Sequence, residues 1–451
     1  MKNIKNKRKQ AIIRRRIFLS IVSLIMVAII ALVAFVIHSL TENDKTDNNS
    51  SLVSSENNNS STTSSTVFQQ KPTEKYATVL STGDIMVHEK QLIGAKTTNG
   101  EYDFSAFFKE ASPYFKKYNL SIANLEVTFG GTESGKYSGY PNFNTPDVLA
   151  DTIKQSGLNL LLTANNHSYD TGLFGLKRTA QILNQKEIQF IGTREKETDT
   201  IYTVKNINGI KIGMADYTYE TGDGNGGKKY LNGKLLSSEA NNLISSFSYQ
   251  NIEKFYTEAQ TVISQMKSNG AEFIVFYIHW GNEYNNSPNT WQKTIAQKLS
   301  NLGVDIIIGS HPHVIQPIEL IHSEDGQNTT VCLYSIGNAI SNQRIEEMGS
   351  DCPTGHTEDG LFFTYTLRKS QDEVTLEDID IIPTWVNRYK GGNGYLYTIY
   401  PLETADAGNV KYGLDSATSQ KAANSYERTK KIVSNGLTVC QKAIGCEITF
   451  K

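Results

Sequence analysis

From position 76 to 382, short apolar runs of strand length alternate with longer stretches in which apolar residues recur every three to four positions. The runs predict strands over 76–81, 120–123, 158–163, 210–215, 273–278, 304–308, 331–336, 361–368 and 374–382. The periodic stretches predict helices over 104–118, 146–156, 173–185, 251–269, 289–301 and 422–435. Strands interleaved with helices indicate a mixed α/β sheet system. Two segments break the pattern. Residues 219–250, rich in Gly, Asn and Ser around Gly222-Asp-Gly-Asn-Gly-Gly227, read as a surface excursion and a candidate lid. Residues 343–359 read as another. Residues 383–451 carry Trp385, several tyrosines and one helical pattern, and are expected to pack on the main domain as a C-terminal extension.

The other end has a different pattern. Residues 17–37 are apolar except for Ser20 and Ser23. As a helix this run reaches roughly 30 Å, enough to cross a bilayer core. Lys2, Lys5, Lys7, Arg8, Lys9, Arg14, Arg15 and Arg16 precede it. By the positive-inside rule, residues 1–16 stay in the cytoplasm and the rest faces outward. The run is longer than a signal-peptide apolar region, so it reads as an uncleaved anchor rather than a cleaved signal. Residues 38–75, rich in Ser, Thr and Asn, have no apolar period and read as a flexible tether. The expected order is therefore a basic segment 1–16, an anchor 17–37, a linker 38–75, a domain 76–382 and an extension 383–451.

Composition sharpens this reading. With 38% hydrophobic and 20% charged residues, the 451-residue chain can bury a core. Setting the eight leading cations against a formal net charge of −2 leaves the remainder at −10. A mildly acidic domain argues against a nucleic-acid track. It also means that an anionic ligand would need a local positive centre. Cys332, Cys352, Cys440 and Cys446 contain no C-x-x-C pair, which argues against a zinc ribbon. Pairing Cys440 with Cys446 and Cys332 with Cys352 is one of three possible disulfide sets, with free buried thiols as the alternative.

The chemistry lies where the strands end. Gly83-Asp84 follows the first predicted strand, with His88 four residues on. Asn124-Leu-Glu126 follows the second and Asn165-Asn-His-Ser-Tyr-Asp170 the third. His279-Trp-Gly-Asn-Glu283, Ser310-His-Pro-His313 and Gly337-Asn338 follow later ones. Carboxyl ends of strands are where open α/β sheets bind ligands. Carboxylates, imidazoles and an amide oxygen suit Mn²⁺, Zn²⁺ or Fe. A shared carboxylate can bridge two such ions and clamp a tetrahedral oxyanion.

These motifs, with Ala164-Asn-Asn-His-Ser-Tyr-Asp-Thr-Gly172, His279-Trp-Gly-Asn-Glu-Tyr284, Gly309-Ser-His-Pro-His-Val-Ile-Gln316 and Ser335-Ile-Gly-Asn338, resemble those of the CapA-type poly-γ-glutamate capsule biosynthesis proteins, membrane-anchored relatives of the calcineurin-like metallophosphoesterases. The resemblance covers residues 77–367. It implies a four-layer α/β/β/α sandwich with two divalent ions at one sheet edge. Carried over motif by motif, Asp84 would hold the first ion and Glu126 would take the bridging place. Asn166 and His279 would hold the second ion, joined by His311, while His313 would join the first. His167 would be the general acid or charge-stabilising donor. Asp170, Glu283 and Asn338 would orient ligands. The sequence departs from the superfamily in four places. The initial Asp-x-His lacks its imidazole, leaving His88 as a candidate. The bridging Asp is Glu126, Ser310 precedes His311, and Ala-Ile follows Asn338.

Three functional readings follow. One is an outward-facing two-metal hydrolase of a phosphoester or of an amide in an envelope polymer. Another is a component of capsule polymer synthesis or export, seated beside membrane synthase subunits and binding the anionic chain. The third is a non-catalytic polymer-binding module with a degenerate site.

Overall fold

Strand β1 (Lys75–Ile85) is the spine of the larger of two sheets, and its last seven residues are buried. It pairs in parallel with β2 (Leu120–Leu125), which leads through β3 (Leu160–Leu162) to β4 (Gln189–Ile191). The second sheet is built on a parallel core of β6 (Ile210–Tyr219), β10 (Phe273–His279), β11 (Ile306–Ser310) and β13 (Thr329–Leu333). Strands β5 (Tyr202–Ile207) and β12 (Ile318–His322) close its two edges in antiparallel fashion, and β9 (Ser246–Phe247) adds to the end of β6. Between β6 and β9 lies a small hairpin of β7 (Tyr230–Leu231) and β8 (Lys234–Leu235). The chain then returns to the first sheet. There β14 (Asn338–Ile340) runs parallel to the tip of β1, and β15 (Asp359–Ser370), β16 (Glu373–Gly391) and β17 (Gly394–Pro401) extend it antiparallel. This computed structural model describes residues 74–222 and 228–449.

Alternation along the strands sets the layers. In β10, Phe273, Val275 and Tyr277 join the cluster between the sheets, where Val79, Ile122 and Leu160 face Ile212 and Ile306. Ile274, Phe276 and Ile278 point the other way, onto helices Ile252–Ser268 and Thr290–Asn301. The period of two therefore serves two cores. On the far face of the first sheet, Ala123 and Leu125 pack with Phe104, Phe108, Phe115 and helix Val148–Ser156. The order is helices, sheet, sheet, helices.

Three local expectations change. The helix over 104–118 is two single turns, Ser105–Phe108 and Ser112–Phe115, with Pro113 starting the second, where its missing N–H costs nothing. The helix over 422–435 is the middle of a longer one, Ser416–Ile444, capped by Asp415 and ended by Gly445 in the left-handed region. Its Val433, Leu437 and Cys440 fill the cluster between the sheets. Strand β16 passes through position 383 without a break, and β17 continues the same sheet.

The 219–250 stretch is anchored. Leu231, Leu236, Leu243 and Ile244 pack on Tyr169 and Leu176. At the base of the 343–359 stretch, buried Arg344 pairs with Glu358 at 3.0 Å. The disulfide pairing is not found, because all four cysteines are free thiols. The basic segment, the expected anchor at 17–37 and nearly all of the linker lie outside the described residues. Among the described residues no helix is long and apolar enough to cross a membrane.

Candidate metal centre

The parallel strands of both sheets end at one rim. Asp84, near the end of β1, pairs in register with Asn124 of β2 and Asn338 of β14. A side chain at Gly83 would put its Cβ 1.8 Å from the Gly337 oxygen, so only glycine lets β14 close on Asp84. From the second sheet, β10 ends at His279 and β11 at Ser310, which pair with each other. His311 and His313 follow with φ of 92° and 56°. Left-handed backbone at non-glycine residues costs about 1–3 kcal/mol each. The surrounding fold holds both imidazoles in place against that cost.

The side chains converge. Asn124 Nδ2 donates to Asp84 Oδ1 at 2.8 Å, and its own oxygen accepts from Asn165 Nδ2 at 3.1 Å. His279 Nε2 meets Asn166 Oδ1 at 2.8 Å and lies 3.5 Å from Glu126 Oε1. Its Nδ1 is 2.8 Å from Ser310 Oγ. His313 Nδ1 meets Asn338 Oδ1 at 3.0 Å and Asp84 Oδ2 at 3.3 Å. Its Nε2 is 3.9 Å from Glu126 Oε1. All of these side chains are buried. Among the described residues, Glu126, His279 and His311 form one group with ligand atoms within 4.8 Å of one another, and Asp84, Glu126 and His313 form a second. Glu126 belongs to both.

Electrostatics explains what holds this cluster and what strains it. Burial pushes the Glu126 carboxyl well above the usual carboxylate range, and the charge of Asp84 adds to it. Burial acts on Asp84 in the same direction, but the hydrogen bond and charge of His313 outweigh it and leave Asp84 low. In return Asp84 overcomes the burial of His313 and raises its imidazole. Burial pulls His279 down to about 3 and His311 well below the ordinary value. Glu126 Oε1 and His311 Nδ1 are buried with no hydrogen-bond partner among the described residues. Unpaired buried polar atoms cost free energy unless something satisfies them. Two such atoms within carboxylate–imidazole groups fit a metal ion.

The model of the family described as "Bacterial capsule synthesis protein PGA_cap" matches residues 78–343, the stretch that carries this whole rim. The chain belongs to that family. Capsule biosynthesis protein CapA of Bacillus anthracis is 25% identical over 312 residues, covering 68% of this chain and 66% of that protein. PGA biosynthesis protein CapA of Bacillus subtilis (strain 168) is 30% identical over 280 residues, covering 61% and 65%. The match thus spans just under two thirds of each of these two relatives. Among solved structures, calcineurin-like phosphoesterase YfkN from Bacillus subtilis is similar at a TM-score of 0.39 and 13% identity, covering 82% of this chain and 100% of that one.

Within this PGA_cap domain His167 belongs to neither of the two groups. Its Nδ1 is 2.8 Å from Asp170 Oδ2, and both residues are buried. Asp170 also accepts the Phe143 N–H at 2.7 Å and Asn232 Nδ2 at 3.2 Å, while Lys234 donates to its backbone oxygen. The β7–β8 hairpin, which carries Asn232 and Lys234, therefore braces the imidazole. Asn232 gave no sign in the sequence: it lies in a low-complexity stretch, and only folding brings it here. Asn124, Asn165 and Ser310 lay within the quoted motifs, but their roles in orienting the ligands become visible only as contacts.

His88 departs from its expected place. It precedes helix Glu89–Ala95, and its Nδ1 accepts the Asn342 N–H at 3.2 Å. Its backbone N–H donates to Gln91 Oε1 at 2.8 Å, as a capping residue does. It belongs to neither ligand group. Burial pulls its imidazole down to about 4, so the ring is a neutral acceptor. Replacing His88 with Ala should leave metal content unchanged and cost about 1–2 kcal/mol of stability, the usual range for a lost cap and a stranded N–H. Plasma mass spectrometry and denaturant melts check both halves. Loss of metal in H88A would restore it as a ligand.

Proposed function

We propose that this domain binds two divalent ions of the Mn, Zn or Fe kind and serves the synthesis or export of an anionic capsule polymer of the poly-γ-glutamate type. Asp84, Glu126 and His313 hold one ion; Glu126, Asn166, His279 and His311 hold the other. The observation that carries this reading is the pair of unpartnered buried atoms, Glu126 Oε1 and His311 Nδ1, in groups that share one carboxylate. Bound ions would supply Lewis acidity and a lowered pKa for water at neutral pH.

The chain's own residues do the rest. Asp170 accepts a hydrogen bond from His167 Nδ1–H, which fixes the ring; when both ring nitrogens carry protons, Nε2–H passes its proton to the leaving group and the ring is left neutral. Asn124 and Asn338 keep Asp84 and His313 in register. The apolar run 17–37 anchors the chain, and the tether 38–75 lets the domain reach a polymer emerging from synthase or export subunits outside the cell.

The test uses the purified full-length chain in detergent. It should carry two equivalents of metal and turn over a generic phosphodiester or polyglutamate, and EDTA should abolish the turnover. Failure to bind Mn²⁺, Zn²⁺ or Fe²⁺ would end the two-ion reading.

A further inference from the structure

Glu283 stands apart from the two buried groups. It lies in the turn after β10, where Gly281 has a φ of 95° and Tyr284 a φ of 61°. The Tyr284 N–H donates to the Pro312 oxygen at 2.8 Å, which clips this turn to the residue between the two histidines. One carboxylate oxygen of Glu283 and one nitrogen each of His311 and His313 consequently lie within 4.8 Å of one another. His311 and His313 are buried, whereas Glu283 is exposed. It therefore approaches the centre from the solvent side. His311, which this group shares with the buried centre, has its Nδ1 without a hydrogen-bond partner among the described residues.

We infer that Glu283 is a displaceable ligand, which completes the centre on its open side and gives way to the anionic group, carboxylate or phosphate, of an incoming substrate. This rests on the two-ion reading above. Charge balance supports it. The buried carboxylates Asp84 and Glu126 supply two negative charges against the four positive charges of two divalent ions, so the open face still calls for an anion. In the resting protein Glu283 supplies that charge. Once displaced, an exposed carboxylate is rehydrated, so it leaves at little cost, unlike a buried one. Only a ligand bringing comparable charge can take its place, and the exchange selects anionic substrates over neutral ones.

Glu283→Gln keeps the shape and removes the charge. Calorimetric titration of the full-length chain with Mn²⁺, then with inorganic phosphate or glutarate, tests it. In E283Q, Mn²⁺ affinity should fall by about tenfold. Affinity of the Mn²⁺-loaded chain for phosphate, glutarate or both should rise by about tenfold, because the competing charge is gone. The anion that tightens names the group the site receives. Circular dichroism should show an unchanged fold, since the side chain is exposed. Unchanged Mn²⁺ and anion affinities in E283Q would overturn the inference while leaving the two-ion reading intact. Failure of the wild-type chain to bind Mn²⁺ would overturn both.

Discussion

Glu126→Gln should empty the centre of metal and, at the same time, stabilise the metal-free fold at neutral pH. Glu126 is the carboxylate common to both buried groups, so the substitution removes a charged group from both proposed ion sites at once. Groups that merely orient ligands typically cost roughly 10–100-fold in metal affinity, so a shared ligand should cost about 100-fold or more. The stabilisation comes from desolvation. The folded chain holds this carboxyl well above its ordinary value of 4.5, chiefly through burial. Between that value and the raised folded one, the unfolded state has released a proton that the folded state still binds. Stability of the metal-free protein therefore falls as pH rises through this window. Gln bears no such proton, so the advantage of E126Q should be largest at neutral pH and shrink toward pH 4.5. His279 and His311, whose imidazoles are held low, contribute the opposite slope below pH 6.5. Comparing variant with wild type removes that common background. Titration with Mn²⁺ and melting curves in EDTA across pH check both effects. Wild-type Mn²⁺ affinity in E126Q would show that the two groups do not share this ligand.

His167→Ala should abolish most turnover while leaving metal content intact. A positioned acid or base contributes about 10²–10⁴-fold. The structure gives the imidazole one firm partner, Asp170 Oδ2 at 2.8 Å, itself fixed by the Phe143 N–H. Phe143 also packs edge-on against the imidazole, with ring centroids 4.7 Å apart. Asp170→Asn should give a smaller loss and an altered pH–rate profile, because the amide no longer fixes the same tautomer. Single-turnover rates at saturating Mn²⁺ separate this chemistry from binding. If H167A loses metal instead, the residue is a ligand and the leaving group draws its proton from elsewhere.

The β7–β8 hairpin bears on the His167 result. Asn232 and Lys234 reach Asp170 from a segment whose composition suggests only a loose excursion. Their hold depends on Leu231 and Leu236 packing on Tyr169, just after His167. The positioning of the proposed proton donor is thus tied to apolar burial in that excursion.

What the sequence determined by itself is local. Apolar runs of strand length against a period near four placed the strands and helices, because a strand buried on both faces reads as a continuous apolar run. The polar residues that end those strands, Asp84, Glu126, Asn166, His279, His311 and His313, stood out because carboxylates and imidazoles are costly at the end of an apolar run without a reason. Edges and short elements were missed, such as β14 and the divided 104–118 helix, since a few residues carry little periodicity. Only the tertiary structure decided which candidates meet. Packing of Val79 and Ile122 against Ile212 and Val275 brings the end of β1 to the ends of β10 and β11, a contact between residues far apart in the chain. The tertiary fold also turns His88 toward the Asn342 N–H and away from the ligand groups, and sets Glu283 at the solvent side of His311 and His313. No local window encodes these outcomes, because they depend on how two sheets settle on a shared core.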